Sequence, residues 1–267
     1  MNLLKLLLPA VLALAPIAAG AQTLDKIKES GTLTIAFDPN VPPWSYKDDK
    51  LQYAGYEFMV AKKLAEDHGL KLEIVETNGA NRIPLLMTQK VDLVVAAMTI
   101  NDERKKVITF SLPYAGAETA VSAPADVAIA KPEDLSGKSI AVARGTIMDD
   151  QVTAIAPPDA QIVRFEDEAT TQTAVLSGQM DLIAQNVTRN KSLMDKQPGL
   201  KLEPKIILGT GMHGIGMRKG EDDLKAWVDV WVQENMKNGT LDGFYQQVHG
   251  TAMPKAVQDA AIAGQDQ

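Results

Sequence analysis

The chain has 267 residues, of which 45% are hydrophobic and 23% charged; this composition suffices for a packed core and excludes a disordered or collagen-like protein. It carries 27 Lys and Arg residues against 34 Asp and Glu residues, a formal net charge of −7, so nucleic acid is not an expected partner. There is no cysteine, which excludes disulfides, thiolate catalysis and cysteine-ligated zinc.

The first 21 residues have the pattern of a secretory signal peptide. Lys5 precedes an apolar stretch that runs from Leu6 to Ala19, and the small residues Ala19-Gly20-Ala21 close it. A membrane anchor is the alternative, but a span needs ~20 apolar residues and two prolines interrupt this shorter stretch. We therefore expect cleavage after Ala21 and export out of the cytoplasm.

The following segments alternate between strand-like and helix-like patterns. Strands are predicted at 32–37, 72–75 and 93–96, and helices at 56–68 and 83–88. This β-α-β-α-β order predicts a mainly parallel sheet with helices on its faces. The pattern then restarts, with strands predicted at 139–143, 162–165 and 181–184, and helices at 148–154, 170–176 and 221–238.

Two α/β units predict two lobes joined by short extended stretches near 117–123 and 206–211. Lobe 1 is expected to be discontinuous, with residues 22–116 and 211–250, and lobe 2 to comprise residues 117–210. A ligand cleft should lie between the lobes, at the carboxyl ends of their strands. Residues 251–267 are small and polar, and we expect them to form a flexible tail.

Sequence motifs that are typical of catalysis or metal binding are rejected because the residues around them do not fit. Gly137-Lys138-Ser139 lacks the earlier glycine of a phosphate-binding loop, and the G-x-G-x-x-G pattern at 209–214 leads into an extended segment instead of a helix. The three histidines lack metal-ligand spacing. The acidic runs at 166–168 and 221–223 are interpreted as solvated loops or helix starts. No catalytic residue, metal or cofactor is expected.

Four segments in a fixed order carry the strongest signal: 81–86, 90–94, 99–104 and 110–114. They resemble the signature of the extracytoplasmic solute-binding proteins of family 3, the amino-acid-binding components of ABC importers. Further matching segments extend the resemblance over roughly residues 24–250; they are 38–44, 55–57, 134–138, 144–146, 177–181 and 238–240.

The resemblance implies a two-lobe, periplasmic-binding-protein-like (type II) α/β fold. It also implies a monomeric receptor that captures a polar amino acid or related carboxylate by lobe closure and delivers it to an ABC transporter permease. In this family Arg104 would bind the ligand α-carboxylate. Thr99 and the backbone at Ala97 would add hydrogen bonds, and Thr146 would offer backbone N–H groups to the carboxylate from a helix N-terminus.

Three further positions match residues near the ligand side chain. Asp38 and Trp44 match first-lobe positions of this kind, although Trp44 could instead pack on neighbouring prolines. Arg82 matches an arginine that meets the distal carboxylate in receptors for acidic amino acids. A ligand with two carboxylates would suit Arg82 and Arg104 together, while a structural ion pair is the alternative for Arg82.

Two departures from the family pattern bear on the ligand. Asn186 stands where relatives usually have an aspartate that pairs with the ligand ammonium group, and a buried ammonium without a counter-charge is costly. Either Asp38 or Glu118 compensates, or the ligand has a weaker amino group or none. Gly79 stands where many relatives have an aromatic lid, which predicts a larger pocket.

Two other functions remain open at this stage. An enzyme on the same scaffold, similar to cyclohexadienyl dehydratase, would use Asp38 or Glu118 as its acid or base. A sensory module would bind the same ligand but report to a membrane kinase.

Overall fold

The structure, a computed structural model, describes residues 23–264. The predicted signal peptide lies outside this range. Among the described residues, no helix has the length and apolarity that crossing a membrane requires.

The first lobe is built on a parallel sheet in which one strand lies between two others. Its elements are α1 (Thr23–Ser30), β1 (Thr32–Phe37), β2 (Asn40–Val41), β3 (Ser45–Lys47), β4 (Tyr53–Ala54), α2 (Tyr56–Asp67), β5 (Lys71–Glu76), α3 (Arg82–Met87), β6 (Leu93–Val94) and α4 (Asp102–Val107). Strand β1 pairs in parallel with β5 on one side and with β6 on the other. The predicted parallel β-α-β-α-β unit is confirmed, and the small antiparallel sheet β2-β3-β4 is an addition to it.

The second lobe repeats this arrangement between two long strands. The chain passes through β7 (Ile108–Pro124), β8 (Ser139–Ala143), α5 (Ile147–Ile155), β9 (Gln161–Phe165), α6 (Glu168–Leu176), β10 (Leu182–Asn186), α7 (Thr188–Lys196) and β11 (Leu202–Arg218). Strand β8 pairs in parallel with β9 and with β10. Three helices follow: α8 (Asp222–Lys237), α9 (Thr240–His249) and α10 (Lys255–Ala263).

Strands β7 and β11 connect the two lobes. They are antiparallel, each has 17 residues, and together they lie between β6 of the first lobe and β10 of the second. The short extended stretches expected at 117–123 and 206–211 are therefore central parts of much longer strands. The predicted lobe boundary falls at the pair Ala117 and Gly211, and it remains a proposal.

Buried apolar side chains form separate clusters on either side of this strand pair. The largest cluster contains β1, α2, α8 and α9 residues, among them Phe37, Leu64 and Trp231. Another fills the second lobe between β8, α5 and β10, around Ile140 and Val152. The pair β7–β11 thus joins two independently packed bodies, which confirms the predicted two-lobe fold.

The predicted flexible tail is wrong for the described part of segment 251–264. Residues 255–263 form helix α10, in which Val257, Ala260 and Ala261 are buried. Their spacing places them on one helix face, which packs against β7 and α8. Val257 lies over Gly116 of β7: a Cβ atom at Gly116 would approach Val257 Cγ2 to 2.8 Å.

Candidate functional site

A narrow cavity lies between the lobes, next to the carboxyl ends of their strands. The first lobe lines it with Val41, Arg82, Ala97, Thr99 and Arg104, and the second lobe with Thr146, Ile147, Met148, Glu168 and Asn186. The open space between them is about 10 Å³, close to what a single water molecule requires. The lobes are therefore closed on each other in this structure.

Arg104 is the cationic centre of this cavity. Asn101 caps helix α4, and its Oδ1 accepts a hydrogen bond from the Arg104 N–H at 2.8 Å. The guanidinium donates to Thr99 O at 2.8 Å and, across the cleft, to Gly145 O at 3.4 Å. Burial, and then the charge of Arg82, lower the pKa of Arg104 to about 10, so the group stays protonated at neutral pH.

Arg104 forms no salt bridge among residues 23–264, since its side-chain hydrogen bonds go only to backbone carbonyls; the charge of Asp150 raises its pKa but offsets the burial only in part. A desolvated cation without a counter-ion is unfavourable. Arg104 therefore presents a binding position for an anionic group of a ligand.

The other arginine that lines the cavity, Arg82, is already paired. The Arg82 side chain is buried and donates from Nη2 to Asp38 Oδ2 at 3.3 Å, while Arg82 Nε has no partner. The ion-pair interpretation of Arg82 thus holds within lobe 1, although Arg82 also lines the cavity. Burial is the largest cause that raises the pKa of Asp38; Arg82 opposes this rise and the charge of Glu168 adds to it. Asp38 is fully buried and lies behind the cavity lining.

The turn after β6 positions the two remaining polar first-lobe groups. Ala97 has a φ of +48°, a left-handed conformation that reverses the chain and brings both Ala97 and Thr99 to the cavity. Thr99 forms a β-bridge with His213 of β11. A Cβ atom at Gly211 would meet the Thr99 side chain at 2.7 Å, so Thr99 packs directly against a lobe-connecting strand.

Helix α5 points its N-terminus at the cavity from the second lobe. Thr146 is its N-cap: its hydroxyl accepts from Asp149 N at 3.3 Å and donates to Ala143 O at 2.8 Å. The next two residues, Ile147 and Met148, also line the cavity. A helix N-terminus carries unpaired N–H groups and a positive dipole end, so this edge suits an anion, as Arg104 opposite does.

Asn186 and Glu168 complete the second-lobe side. Asn186 ends β10, is buried, and its Oδ1 has no hydrogen-bond partner. Glu168 begins α6, is 2% exposed, and forms an ion pair with the fully buried Arg189 of α7. The helix-start interpretation of 166–168 is confirmed, since Asp167 caps α6 and Glu168 begins it, but neither interpretation predicted that Glu168 is buried at the cavity. The signal was its position directly after β9, at the same strand edge as the other site residues.

Trp44 lies outside the cavity lining. Its ring is fully buried among Tyr56, Tyr245, His213 and His249, with ring centroids 4.3 to 5.8 Å away. The indole N–H donates to Thr188 Oγ1 of the second lobe at 3.0 Å. Val41, three residues earlier, takes the place in the lining that the sequence assigned to Trp44.

Gly79, where the sequence lacks an aromatic lid, lies at a close contact between the two lobes. A Cβ atom at Gly79 would lie 2.9 Å from Arg144 O and 3.1 Å from Thr146 Cγ2. Gly145 has a φ of +72°, and a Cβ atom added there would likewise lie 2.9 Å from Ala80 Cα. Without side chains at 79 and 145, the two lobes approach each other closely through their backbones; that Gly79 gives a larger pocket for a bound ligand remains a prediction.

The structure also shows the position of Glu118 and how the His, Asp and Glu side chains are distributed. Glu118 is exposed on β7 and does not line the cavity, so it does not compensate for Asn186. Within residues 23–264, no group of three or more His, Asp or Glu side chains is arranged to hold a metal ion.

Residues 33–251 match the sequence profile of the bacterial extracellular solute-binding proteins, family 3. The chain belongs to this family. It is 27% identical over 234 residues to the L-cystine-binding protein TcyJ of Escherichia coli (strain K12), covering 87% of this chain and 88% of that protein. Members of the family thus include amino-acid-binding proteins that resemble this chain along nearly its full length.

Solved structures give the same picture. A solute receptor for L-cysteine of Neisseria gonorrhoeae superimposes with a TM-score of 0.78 at 28% identity, covering 85% of this chain and 93% of the other. An ancestral amino-acid-binding protein, AncCDT-1, described as a precursor of cyclohexadienyl dehydratase, has a TM-score of 0.78 at 33% identity over 85% of this chain and 99% of its own. Cyclohexadienyl dehydratase of Pseudomonas aeruginosa is 36% identical, but only over 105 residues, or 39% of each chain.

Proposed function

We propose that this protein is a periplasmic receptor that closes its two lobes on a small polar amino acid or related carboxylate and delivers it to an ABC transporter permease. Family membership and the binding proteins among its relatives support the receptor class. The cavity between the lobes is lined by polar and charged residues of both lobes, which supports a polar ligand.

The observation that carries this proposal is Arg104. It is a desolvated cation that forms no ion pair within residues 23–264, it contacts backbone carbonyls of both lobes, and it faces the N-terminus of α5. A carboxylate bound between Arg104 and α5 would receive charge-assisted hydrogen bonds from both lobes at once. Ligand binding would thereby stabilise the closed arrangement.

The test is a binding screen followed by one substitution and its matched control. The mature protein is screened by thermal shift against the standard L-amino acids, L-cystine and simple carboxylates, and the tightest ligand is measured by calorimetry. R104A should weaken that ligand at least about 30-fold, because it removes the partner of a buried carboxylate. K106A removes an exposed cation from the same helix and should leave affinity unchanged. Equal affinities of the two variants would overturn the assignment.

Delivery to a permease needs a separate experiment in cells. A strain that lacks this gene should lose uptake of the labelled ligand, and the wild-type gene should restore it, whereas R104A should not. Uptake that is unaffected by deletion, despite tight binding in vitro, would favour the sensory function instead.

An enzymatic function is the second candidate, and the partial match to cyclohexadienyl dehydratase favours testing it. Neither acid considered from the sequence lines the cavity: Asp38 is buried in its ion pair, and Glu118 is exposed. Incubation with α-keto and cyclohexadienyl acids, followed by chromatography, decides the question. Turnover would replace the receptor proposal, and its absence would leave binding as the function.

A further inference from the structure

Glu168 is the only carboxylate side chain that lines the cavity among residues 23–264. It approaches from the second lobe on the first turn of α6, and α6 packs across the cleft against β2 of the first lobe. The cavity therefore has one cation without a carboxylate, Arg104, and one buried carboxylate, Glu168.

We propose that Glu168 pairs with the ammonium group of the ligand, with Asn186 Oδ1 as a second acceptor. This inference rests on the proposed amino-acid-binding function and specifies its ligand as one that carries a free amino group. It assigns a specificity-determining role to a residue that the sequence pattern had placed in solvent.

The first argument concerns the polar atoms that the cavity leaves without partners. Asn186 is 5% exposed, lines the cavity, and its Oδ1 accepts no hydrogen bond. Buried acceptors are nearly always satisfied, so a donor is expected from a bound molecule. An ammonium group supplies three donors, enough for both Asn186 Oδ1 and a Glu168 oxygen.

The second argument concerns the orientation of Glu168. Its Oε2 faces the Arg189 guanidinium, and Arg189 is fully buried and absent from the cavity lining. Arg189 thus lies behind Glu168 as a positioning residue, although their ion pair does not have the geometry of a hydrogen bond. The Glu168 carboxylate itself lines the cavity, where it can accept hydrogen bonds from a ligand.

The third argument concerns charge across the cleft. Asp38 of the first lobe is close enough to Glu168 for the two carboxylates to repel, since the charge of Glu168 adds to the burial that chiefly raises the pKa of Asp38. Closing the lobes brings these negative groups together. A ligand ammonium at Glu168 would offset that repulsion, just as the ligand carboxylate would offset the charge of Arg104.

The experiment compares an amino acid with its analogue that lacks only the amino group. The tightest amino acid from the thermal-shift screen is paired with its deaminated acid, for example L-cysteine with 3-mercaptopropionate, and both are measured by calorimetry. Wild-type protein should prefer the amino acid at least about tenfold, the size of one hydrogen bond to a charged group. E168Q should reduce this preference to within about threefold, mainly by weakening the amino acid.

Two further variants keep the result decisive. E168Q leaves Arg189 buried without its counter-charge, so the double variant E168Q/R189M, which removes both charges, is measured beside it. The double variant should lose the preference for the amino acid to the same extent as E168Q. E166Q makes the same charge change at an exposed position two residues earlier and should retain it.

The outcomes separate this inference from the proposed function. If no amino acid stabilises the wild-type protein, both fail. If the wild-type protein binds an amino acid but both Glu168 variants still prefer it over the deaminated acid, only the inference is overturned, and Glu168 and Arg189 are a structural pair.

Discussion

Replacing Glu57 with glutamine tests a charge buried in the core of the first lobe. Glu57 lies in the first turn of α2 and is fully buried. Its Oε2 accepts a hydrogen bond from Tyr114 OH at 2.5 Å, whereas Oε1 has no partner. Burial raises the pKa of Glu57 to about 7; the Tyr114 hydrogen bond, the Ala97 N–H and the charge of Arg82 act in the opposite direction.

The raised pKa of Glu57 determines both the sign and the size of the change in protein stability with pH. The unfolded chain loses this proton near pH 4.5, whereas the folded protein keeps it until about pH 7. The folded state therefore holds more protons between these values, so its stability falls as pH rises through this window and levels off above it. A shift from 4.5 to about 7 corresponds to a loss of about 3 kcal/mol.

Glutamine keeps an oxygen for Tyr114 OH but cannot ionise. The free energy of unfolding of E57Q minus that of the wild type should therefore rise by about 3 kcal/mol from pH 4.5 to pH 8. Urea unfolding followed by tryptophan fluorescence measures it, and the difference cancels other groups that titrate in both proteins. E66Q, an exposed position on the same helix, should give a flat difference. A flat difference for E57Q as well would refute the reasoning.

Three other substitutions probe closure, acid stability and the C-terminal helix. G79A should weaken ligand binding about 5- to 150-fold, since overpacking costs about 1–3 kcal/mol and arises only when the lobes are closed. G243A, whose Cβ would meet nothing within 4 Å, is the calorimetric control. Burial lowers the pKa of His249 to about 4, so the stability of the folded protein falls as pH drops from 6.5 through 4. Between pH 7 and pH 4, the free energy of unfolding of H249F should therefore increase by up to about 3 kcal/mol relative to that of the wild type. An unchanged acid-unfolding curve would contradict this. V257A should lower the free energy of unfolding by at least about 1.6 kcal/mol, because it removes two buried carbon groups, whereas V230A at an exposed position should not. Equal urea midpoints for V257A and the wild type would mean that α10 is not docked.

The elements predicted from the sequence are those whose patterns are local. Segment 32–37 is an apolar run bounded by a glycine and a proline-rich loop, and it is a strand at those limits. The helix predicted at 56–68 ends within one residue of the observed α2. In both segments, the residues that decide the structure are close neighbours in the sequence.

The missed elements depend on distant partners. The 17-residue strands β7 and β11 contain prolines and several glycines, and four register irregularities interrupt their pairing. Their full length depends on pairing with each other and with β6 and β10, and on packing against α8 and α10, all of which are distant in sequence from at least one of the two strands. Helix α10 did carry a local signal, because Val257, Ala260 and Ala261 share one face, but small residues gave no reason to expect that face to be buried.

The candidate site also contains residues that local sequence motifs predict and one residue whose burial depends on a distant partner. Arg104, Thr99, Ala97, Thr146, Arg82 and Asn186 were predicted from motifs at strand ends, and all six line the cavity. Glu168 was missed because its acidic neighbours suggested solvent. Its burial depends on Arg189, 21 positions later on α7, and no pattern near either residue indicates that they pair.

The charges around the cleft give a physical reason for closure to follow ligand binding. Three guanidinium groups, of Arg82, Arg104 and Arg189, face or support the cavity, against the two carboxylates of Asp38 and Glu168. Two ion pairs, Arg82 with Asp38 and Arg189 with Glu168, leave Arg104 as the guanidinium without a paired carboxylate. Burial and the charge of Arg82 lower the pKa of Arg104 from 12.5 to about 10, which means that keeping Arg104 charged in the closed form costs up to about 3 kcal/mol. An empty closed form bears this cost, because separating the lobes would remove the second-lobe contact at Gly145 and expose Arg104 to water. A bound carboxylate removes it only when the lobes are shut, so the ligand binds the closed state more tightly, and that difference in affinity is what shifts the equilibrium.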